Sequence, residues 1–362
     1  MPNFKYVLPE HTIAVKGVGL CALDIVSLLT LGRGGSLHHG EDKWVPDYIA
    51  SGHEPNILLL TQSGLLYRSR PDFSLPYKPY HSLLFSSERL LYWKQKPNYS
   101  IDFKEELLPL IHLEMRACYV LTAAEDHYDK VYESLSSSLR FESGLSLFCT
   151  QLEYFEKTYG QFDLEQYLYS RFPEKMEKQA FSLWANAFLL DDLIMAKQGV
   201  SHPVKAALEV WRFIRPQLRE LINFDRLTLD SNMDVYNGLY SLVRRSVDGA
   251  ELMRHQLLLA LIKQGIVKID RVTDWQRAEG KWKVICTDKK EYEAEHFIYA
   301  QLNKSGPLHT NSSLLQCLIR LGLMDTCDLA EGKRDNIQVN REFQLISSLK
   351  RGGIISGAWG RD

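Results

Sequence analysis

The chain has 362 residues, of which 45% are hydrophobic and 24% are charged, and its formal net charge is −2. This length allows two or three globular domains, and the near-neutral charge gives no support to binding of nucleic acid or of an anionic membrane. The six cysteines include no C-x-x-C pair, which excludes zinc ribbons and thioredoxin-like redox pairs and is typical of buried thiols in a reducing cytoplasm. The first residues lack a signal-peptide core and no run of 18 apolar residues occurs, so we expect a cytoplasmic protein without a membrane span.

The stretch Thr12–Gly35 predicts a buried strand, a glycine turn and a helix. The turn Gly17–Ala22, GVGLCA, fits the pattern G-x-G-x-x-A, a form of the dinucleotide-binding fingerprint. In that pattern the glycines allow a tight turn and close approach of a pyrophosphate, which meets the free N–H groups of the helix. A glycine turn without a ligand is the alternative interpretation. The residues predicted to bind a nucleotide here are Gly17, Val18, Gly19, Leu20 and Ala22.

A second buried strand is predicted at Ile57–Thr61. In a Rossmann unit, an acid after this strand binds the ribose 2′-OH, whereas a nearby arginine accommodates a 2′-phosphate. No acid occurs between Thr61 and Arg70, so the sequence favours NADP over NAD as the nicotinamide cofactor. The alternative is that the arginines belong to a loop before Pro71. The cofactor residues predicted on this side are Thr61, Gln62, Ser63, Arg68 and Arg70.

The rest of the chain changes from a helical to a strand pattern. Apolar residues at a spacing of three to four predict a mainly helical region over 101–264. Short strands are then predicted at Ile266–Ile269, Trp282–Cys286 and His296–Ala300, arranged as an antiparallel meander. The predicted fold class is α/β. Its predicted parts are a Rossmann-like NAD(P)-binding unit at 1–100, the helical region, and a strand-rich remnant of an FAD-type dinucleotide-binding domain at 265–362.

Other constellations point less clearly to chemistry. His38 and His39 are adjacent and cannot share a helix face, so a metal site is not favoured. The acidic pair Asp191-Asp192 is predicted to be solvated charge at a helix edge. His202 is either a proton donor near a cofactor or part of the first turn of a helix. Neither a nucleophile elbow nor a P-loop occurs, and no catalytic side chain is predicted.

Taken in order, these segments resemble the FAD/NAD(P)-binding protein family, bacterial flavoproteins with two dinucleotide-binding domains. Ile13–Asp24 and Leu29–Gly35 look like the second, nicotinamide-side fingerprint of the family. Ser201–Arg215, SHPVKAALEVWRFIR, is the most distinctive match, and His296–Pro307 is similar to the segment that returns to the flavin. The resemblance therefore implies two further cofactor residues, Ala300 and Gly306.

The chain also departs from the family pattern. No strand and glycine loop for the FAD pyrophosphate precede Thr12, and the glycine at Gly306 comes late after the returning strand. We therefore expect a family member that lacks its N-terminal FAD loop. FAD is a second candidate cofactor, but these departures argue against a complete FAD site in this chain alone.

The resemblance implies an FAD- and NAD(P)H-dependent oxidoreductase, monooxygenase-like, or its nicotinamide-binding portion, in which NADPH passes a hydride to the flavin. Its expected partners are an unidentified small-molecule substrate and a separate FAD-binding polypeptide. The alternative is a non-catalytic pseudo-oxidoreductase or binding subunit that keeps the fold without the flavin.

Overall fold

A computed structural model gives the fold of the chain. The structure describes residues 4–38, 40, 44–94, 100–140, 144–169, 181–223, 226–228, 230–231, 239–287, 289–300, 312–327, 336–337, 339–340 and 342–346.

Ten strands are formed within the described residues. They are β1 (Thr12–Lys16), β2 (Ser36–His38), β3 (Asp47–Ile49), β4 (Asn56–Thr61), β5 (Val267–Ala278), β6 (Lys281–Cys286), β7 (Glu291–Ala294), β8 (His296–Tyr299), β9 (Thr326–Cys327) and β10 (Asn336–Ile337).

The α-helices of the described residues concentrate between β4 and β5. They are α1 (Leu20–Leu29), α2 (Ser87–Lys94), α3 (Leu108–Ala123), α4 (Tyr128–Ser138), α5 (Gly144–Tyr159), α6 (Leu164–Tyr167), α7 (Phe181–Ala196), α8 (Pro203–Phe213), α9 (Arg215–Ile222), α10 (Tyr240–Val247), α11 (Leu252–Lys263) and α12 (Ser313–Arg320).

The main sheet has six strands in the order β7-β6-β5-β4-β1-β8. The neighbours from β5 to β8 are parallel, and β1 pairs on both edges, Ile13 lying opposite Ile57 of β4 and His296 of β8. The run Ile13–Val15 is fully buried, as expected for a parallel strand covered on both faces. The α/β class is thus confirmed, and the β1–α1–β4 crossover is compatible with a Rossmann-like unit.

The predicted antiparallel meander is wrong in its third strand. β5, β6 and β7 form the meander, whereas His296–Tyr299 pairs in parallel with β1. The prediction missed Glu291–Ala294, whose short polar alternation is weak as a strand pattern. Strands from the predicted units 1–100 and 265–362 therefore share one sheet, and the domain limits themselves stay a prediction.

Different layers cover the two faces of the sheet. Ile13, Val15 and Leu59 belong to a core with residues of α1, α7 and α11. Ala14, Leu58 and Leu60 face the opposite way and form a core with Val272 and Val284 of the meander. The ring of Trp282 on β6 lies 4.9 Å from that of Phe297 on β8, so the meander folds back over the sheet.

The region between β4 and β5 has a separate helical core. Ile111 and Met115 of α3 are fully buried and belong to one cluster with residues of α4, α5 and α8. No single helix of the described residues is long and apolar enough to cross a membrane. The segments Phe103–Ala123 and Glu125–Ser138 reach that length and composition only together, as a pair bent by 114°.

Gly17→Ala tests the close approach of β1 to β8. Gly17 has a φ of +141°, and a Cβ there would lie 2.7 Å from the carbonyl oxygen of Ala300. We expect a loss of roughly 1–3 kcal/mol in the free energy of unfolding, because the backbone is strained and the strand ends must separate. Urea denaturation measures this loss. The control is Gly32→Ala, whose Cβ would meet only ordinary contacts at 3.6 Å and beyond; equal stability of the two variants would contradict the expectation.

Candidate functional site

The candidate site lies at the carboxyl ends of the parallel strands. β4 and β8 flank β1 on opposite sides, so the chain connections diverge from β1. In open α/β sheets such a switch point forms a crevice in which ligands bind. Lys16, Thr61 and Tyr299 end the three strands at this edge.

The glycine loop follows β1 directly. The N–H of Ala300 donates to the carbonyl of Lys16 at 2.9 Å, and the N–H of Gly17 donates to the carbonyl of Leu60 at 2.9 Å. The predicted cofactor residues Gly17 and Ala300 lie against each other, since a Cβ at Gly17 would be 2.7 Å from the carbonyl oxygen of Ala300. Gly306 lies outside the described residues.

The N-terminus of α1 is open to a ligand. Gly19 is the N-cap in an extended conformation, with no side-chain cap and no acidic residue in the first turn. The first helical N–H with a backbone partner is that of Leu23, which donates to Gly19. The three N–H groups of Leu20–Ala22 have no acceptor within the described residues, as at any uncapped helix start. Ala22 is fully buried, which lets α1 pack on the sheet.

These features fit the pyrophosphate of a dinucleotide. Free N–H groups and the helix dipole favour an anion at this end of α1. One neighbour was missed by sequence reasoning, since a Cβ at Gly19 would lie 3.2 Å from the ring of Tyr67. Tyr67 follows β4 in a turn with no periodic pattern, so nothing in the sequence placed it beside the loop.

The predicted residues after β4 lie at the same edge. The hydroxyls of Thr61 and Ser63 are 3.5 Å apart, and the hydroxyl of Ser63 accepts from the N–H of Leu65 at 3.3 Å. The side chain of Gln62 is exposed, and its backbone carbonyl accepts a hydrogen bond from the guanidinium of Arg271. These side chains surround the turn that leaves β4.

Arg68 does not face the candidate site, which corrects the prediction. Its side chain is buried, and the guanidinium donates to Asp192 at 2.8 Å and to the carbonyl of Tyr167 at 3.0 Å. The argument that Arg68 selects NADP therefore fails. Arg70 is half-buried and its backbone N–H donates to Ala250, so a role for Arg70 in binding a 2′-phosphate stays a prediction.

The carboxylate of Asp192 is the centre of a buried charge cluster. It accepts from Lys205 at 2.8 Å and from the N–H of Ser69 at 2.6 Å, besides Arg68. Burial raises the pKa of this carboxyl, but the charges of Lys205 and Arg68 and their hydrogen bonds outweigh burial and hold the pKa at about 2. Asp191 is exposed, but Asp192 is only 1% exposed, so the prediction of solvated charge is wrong for Asp192.

The distinctive segment Ser201–Arg215 is a structural partner of this cluster. Lys205 and Glu209 lie one turn apart on α8 and are each only 1% exposed. Charged residues at this spacing among apolar ones are a sequence clue to buried ion pairs. His202 immediately precedes α8, and its Nδ1 has no hydrogen-bond partner within the described residues. Burial lowers the pKa of His202. Its proposed role as a proton donor stays a prediction.

Two other features lie elsewhere. The described residues contain no group of three or more His, Cys, Asp or Glu side chains arranged to hold a metal ion. A shallow depression of about 470 Å³ lies at the C-terminal end of α1, lined by Leu28, Gly32 and Arg33 among others. It involves none of the predicted cofactor residues.

Comparison with known proteins gives three relatives that each match most of this chain, and no family model matches. The chain is 26% identical over 370 residues to an L-aspartate N-monooxygenase (nitrosuccinate-forming) of Streptomyces davaonensis, covering 96% of this chain and 56% of that protein. It is 26% identical over 335 residues to the nitrosuccinic acid synthase npaA of Aspergillus oryzae, covering 87% and 50%. It is 24% identical over 379 residues to an L-aspartate N-monooxygenase of Streptomyces cremeus, covering 95% and 54%.

The chain thus spans about half the length of the curated relatives it matches. Two of these three relatives are named as monooxygenases, so the similarity is to oxidoreductases of that kind.

Asp192→Asn tests the buried charge cluster. The change removes the carboxylate that both Arg68 and Lys205 contact, so we expect the free energy of unfolding to fall by about 3–5 kcal/mol at pH 7. Chemical denaturation measures it. Asp191→Asn is the matched control, and we expect it to stay within about 0.5 kcal/mol of the natural protein. A stable Asp192→Asn variant would mean that the cluster is dispensable.

The same carboxyl predicts a pH dependence of stability. Its folded-state pKa of about 2 lies below the ordinary value of 3.8. The stabilisation from Asp192 is therefore complete above about pH 4 and is lost as the pH falls toward 2. We expect the Asp192→Asn variant to lack this part of the acid-induced loss, measured as unfolding free energy against pH. Parallel profiles for the two proteins would contradict the assignment.

Proposed function

We propose that this chain carries the nicotinamide-dinucleotide site of a flavin- and NAD(P)H-dependent oxidoreductase of the monooxygenase kind. The observation that carries the proposal is the alignment of 96% of the chain with an L-aspartate N-monooxygenase. The glycine loop at the switch point of the sheet supports it. We propose further that the chain is a member of the FAD/NAD(P)-binding protein family, on the motifs given above.

The residues of the carboxyl edge have distinct tasks in this proposal. The N–H groups of Leu20–Ala22 would hold the pyrophosphate, while Gly17 and Gly19 let the loop pack closely against Ala300 and Tyr67. Thr61 and Ser63 offer hydroxyls to a sugar. A bound NAD(P)H supplies a hydride for the reduction of a flavin. The choice between NADP and NAD is left open, since Arg68 is held by Asp192.

FAD and the substrate belong to the whole protein in this proposal. The curated relatives are about twice as long as the matched region, so FAD would be held with the help of further chain or of a separate FAD-binding polypeptide. The names of the relatives make an amino acid, with L-aspartate first, the substrate to test. A cytoplasmic location stays a prediction.

A second candidate function is a binding subunit without turnover. The observation in its favour is that Arg68 is held in a buried ion pair with Asp192. Arg68 is therefore not available to bind the phosphates of a cofactor.

The decisive experiment uses the purified natural protein. Visible absorbance reports bound flavin, and titration with NADPH and with NADH, followed by fluorescence, reports nicotinamide binding. Oxygen and NADPH consumption with added FAD and L-aspartate then tests turnover. We expect nicotinamide binding by the chain itself, and FAD-dependent oxygen uptake once the FAD-binding polypeptide is added. Binding without turnover even with that polypeptide would favour the binding subunit, and absence of nicotinamide binding with and without FAD would contradict the enzyme proposal.

Gly19→Val tests the glycine loop directly. The new side chain would meet the ring of Tyr67 and block the backbone, so we expect the Kd for NADPH to rise at least tenfold, roughly 1.4 kcal/mol. Fluorescence titration measures the Kd, and circular dichroism checks that the variant is folded. Gly32→Ala, at the other end of α1, serves as the control. Unchanged affinity in a folded variant would mean that the loop is structural.

A further inference from the structure

Lys16 is a nearly buried cation at the carboxyl edge of the sheet. It is the last residue of β1, directly before the glycine loop, and is only 9% exposed. Its ammonium lies 3.9 Å from the ring centroid of Trp275 and 5.6 Å from that of Tyr299. Within the described residues, no carboxylate or other hydrogen-bond acceptor contacts this ammonium.

The sheet register shows why no acid of the described strands faces Lys16. Lys16 lies opposite Tyr299 on β8 and Leu60 on β4, and Leu60 lies opposite Asp270 on β5. Asp270 is thus two strands away, and its carboxylate accepts from the hydroxyl of Tyr292 and from the N–H of Arg271. Lys16 is only 9% exposed and faces no anion among the described residues, which is unfavourable for a cation, and contact with aromatic rings offsets only part of this.

An exposed aromatic ring stands beside this cation. Tyr299 is 56% exposed, and its hydroxyl accepts from the indole N–H of Trp275 at 3.0 Å. Its ring also packs against Phe297 at 5.1 Å. These contacts hold a flat ring at the carboxyl edge of the sheet, one residue from the close approach of Gly17 and Ala300.

We infer that Lys16 and Tyr299 form a nucleotide subsite, in which Lys16 binds a phosphate and Tyr299 contacts a planar ring of the same ligand. The chemistry is complementary, because a nucleotide joins an anion to a flat ring within a few ångströms. A phosphate would supply the acceptors that the ammonium lacks, through charge-assisted hydrogen bonds. The inference rests on the proposed nicotinamide-dinucleotide site and adds two residues that the fingerprint does not contain.

Variants at Lys16 test the phosphate contact. The probes are inorganic pyrophosphate and NADPH, each titrated while tryptophan fluorescence is followed. We expect Lys16→Met to weaken both about tenfold and to reduce the dependence of affinity on ionic strength, since a charge is removed. Lys16→Arg keeps the charge and should bind within a few-fold of the natural protein. Lys281→Met, which removes an exposed lysine paired with glutamates on the meander, is the control.

Variants at Tyr299 test the ring contact. Tyr299→Leu should weaken NADPH several-fold and leave pyrophosphate unchanged, because pyrophosphate has no planar ring. Tyr299→Phe keeps the ring and should bind both probes like the natural protein. A change in the affinity for NADPH but not for pyrophosphate distinguishes loss of a ring contact from a general distortion of the carboxyl edge of the sheet.

The remaining outcomes overturn the inference. If Lys16→Met lowers the melting temperature but binds both probes with the Kd of the natural protein, Lys16 only stabilises the packing of the meander on the sheet. Loss of NADPH binding in Gly19→Val but not in the Lys16→Met and Tyr299→Leu variants would support the proposed function and contradict the subsite. If the natural protein binds neither probe, both the proposed function and the subsite are contradicted. Lys16-dependent binding of pyrophosphate without binding of NADPH or NADH would support the phosphate contact and overturn the nicotinamide function.

Discussion

The arrangement of this molecule depends on one buried carboxylate, that of Asp192. It joins three segments that are distant in sequence: the chain after β4 through Arg68 and Ser69, helix α7 that carries it, and helix α8 through Lys205. Taking these charges out of water is unfavourable, and only their mutual contacts and hydrogen bonds compensate. The helical region is thereby fixed to the segment that leaves the central sheet, so the helical core and the sheet core that includes α7 meet at a common charged contact.

The Asp192 cluster is connected to the candidate site through the backbone of Arg68 and Ser69. Arg68 and Ser69 are held by Asp192, and Tyr67, directly before them, lies beside Gly19. The carbonyl of Tyr67 also accepts from the buried ring of His255 on α11. Gly249 adds to this constraint, because a Cβ there would lie 1.6 Å from the carbonyl of Arg68. The helical region therefore shapes one wall of the nucleotide loop, although it contributes no residue of the fingerprint.

Sequence reasoning succeeded where structure is local and failed where partners are distant. The strand, turn and helix of Thr12–Leu29 follow from neighbouring residues, and the structure has them. The antiparallel pairing predicted for β8 is wrong, since nothing in the sequence of its four residues indicates that β1 is its parallel partner. Arg68 was assigned to a cofactor because its partner Asp192, 124 residues away, cannot be found from spacing. Lys16 was missed because a lysine at the end of a strand is ordinary until Trp275 and Tyr299 surround it.

The pairing of β1 also decides which part of the chain can form the nucleotide site. β1 and β4 provide two strands of the main sheet, and the described residues before residue 100 contribute no others to it. The second edge of β1 is covered by β8, and Gly17 lies against Ala300, the residue that follows β8. A chain ending near residue 100 would expose that edge and lose one side of the crevice. The pairing therefore favours a nucleotide unit that runs from Thr12 to Ala300, with the helical region inserted between its second and third parallel strands.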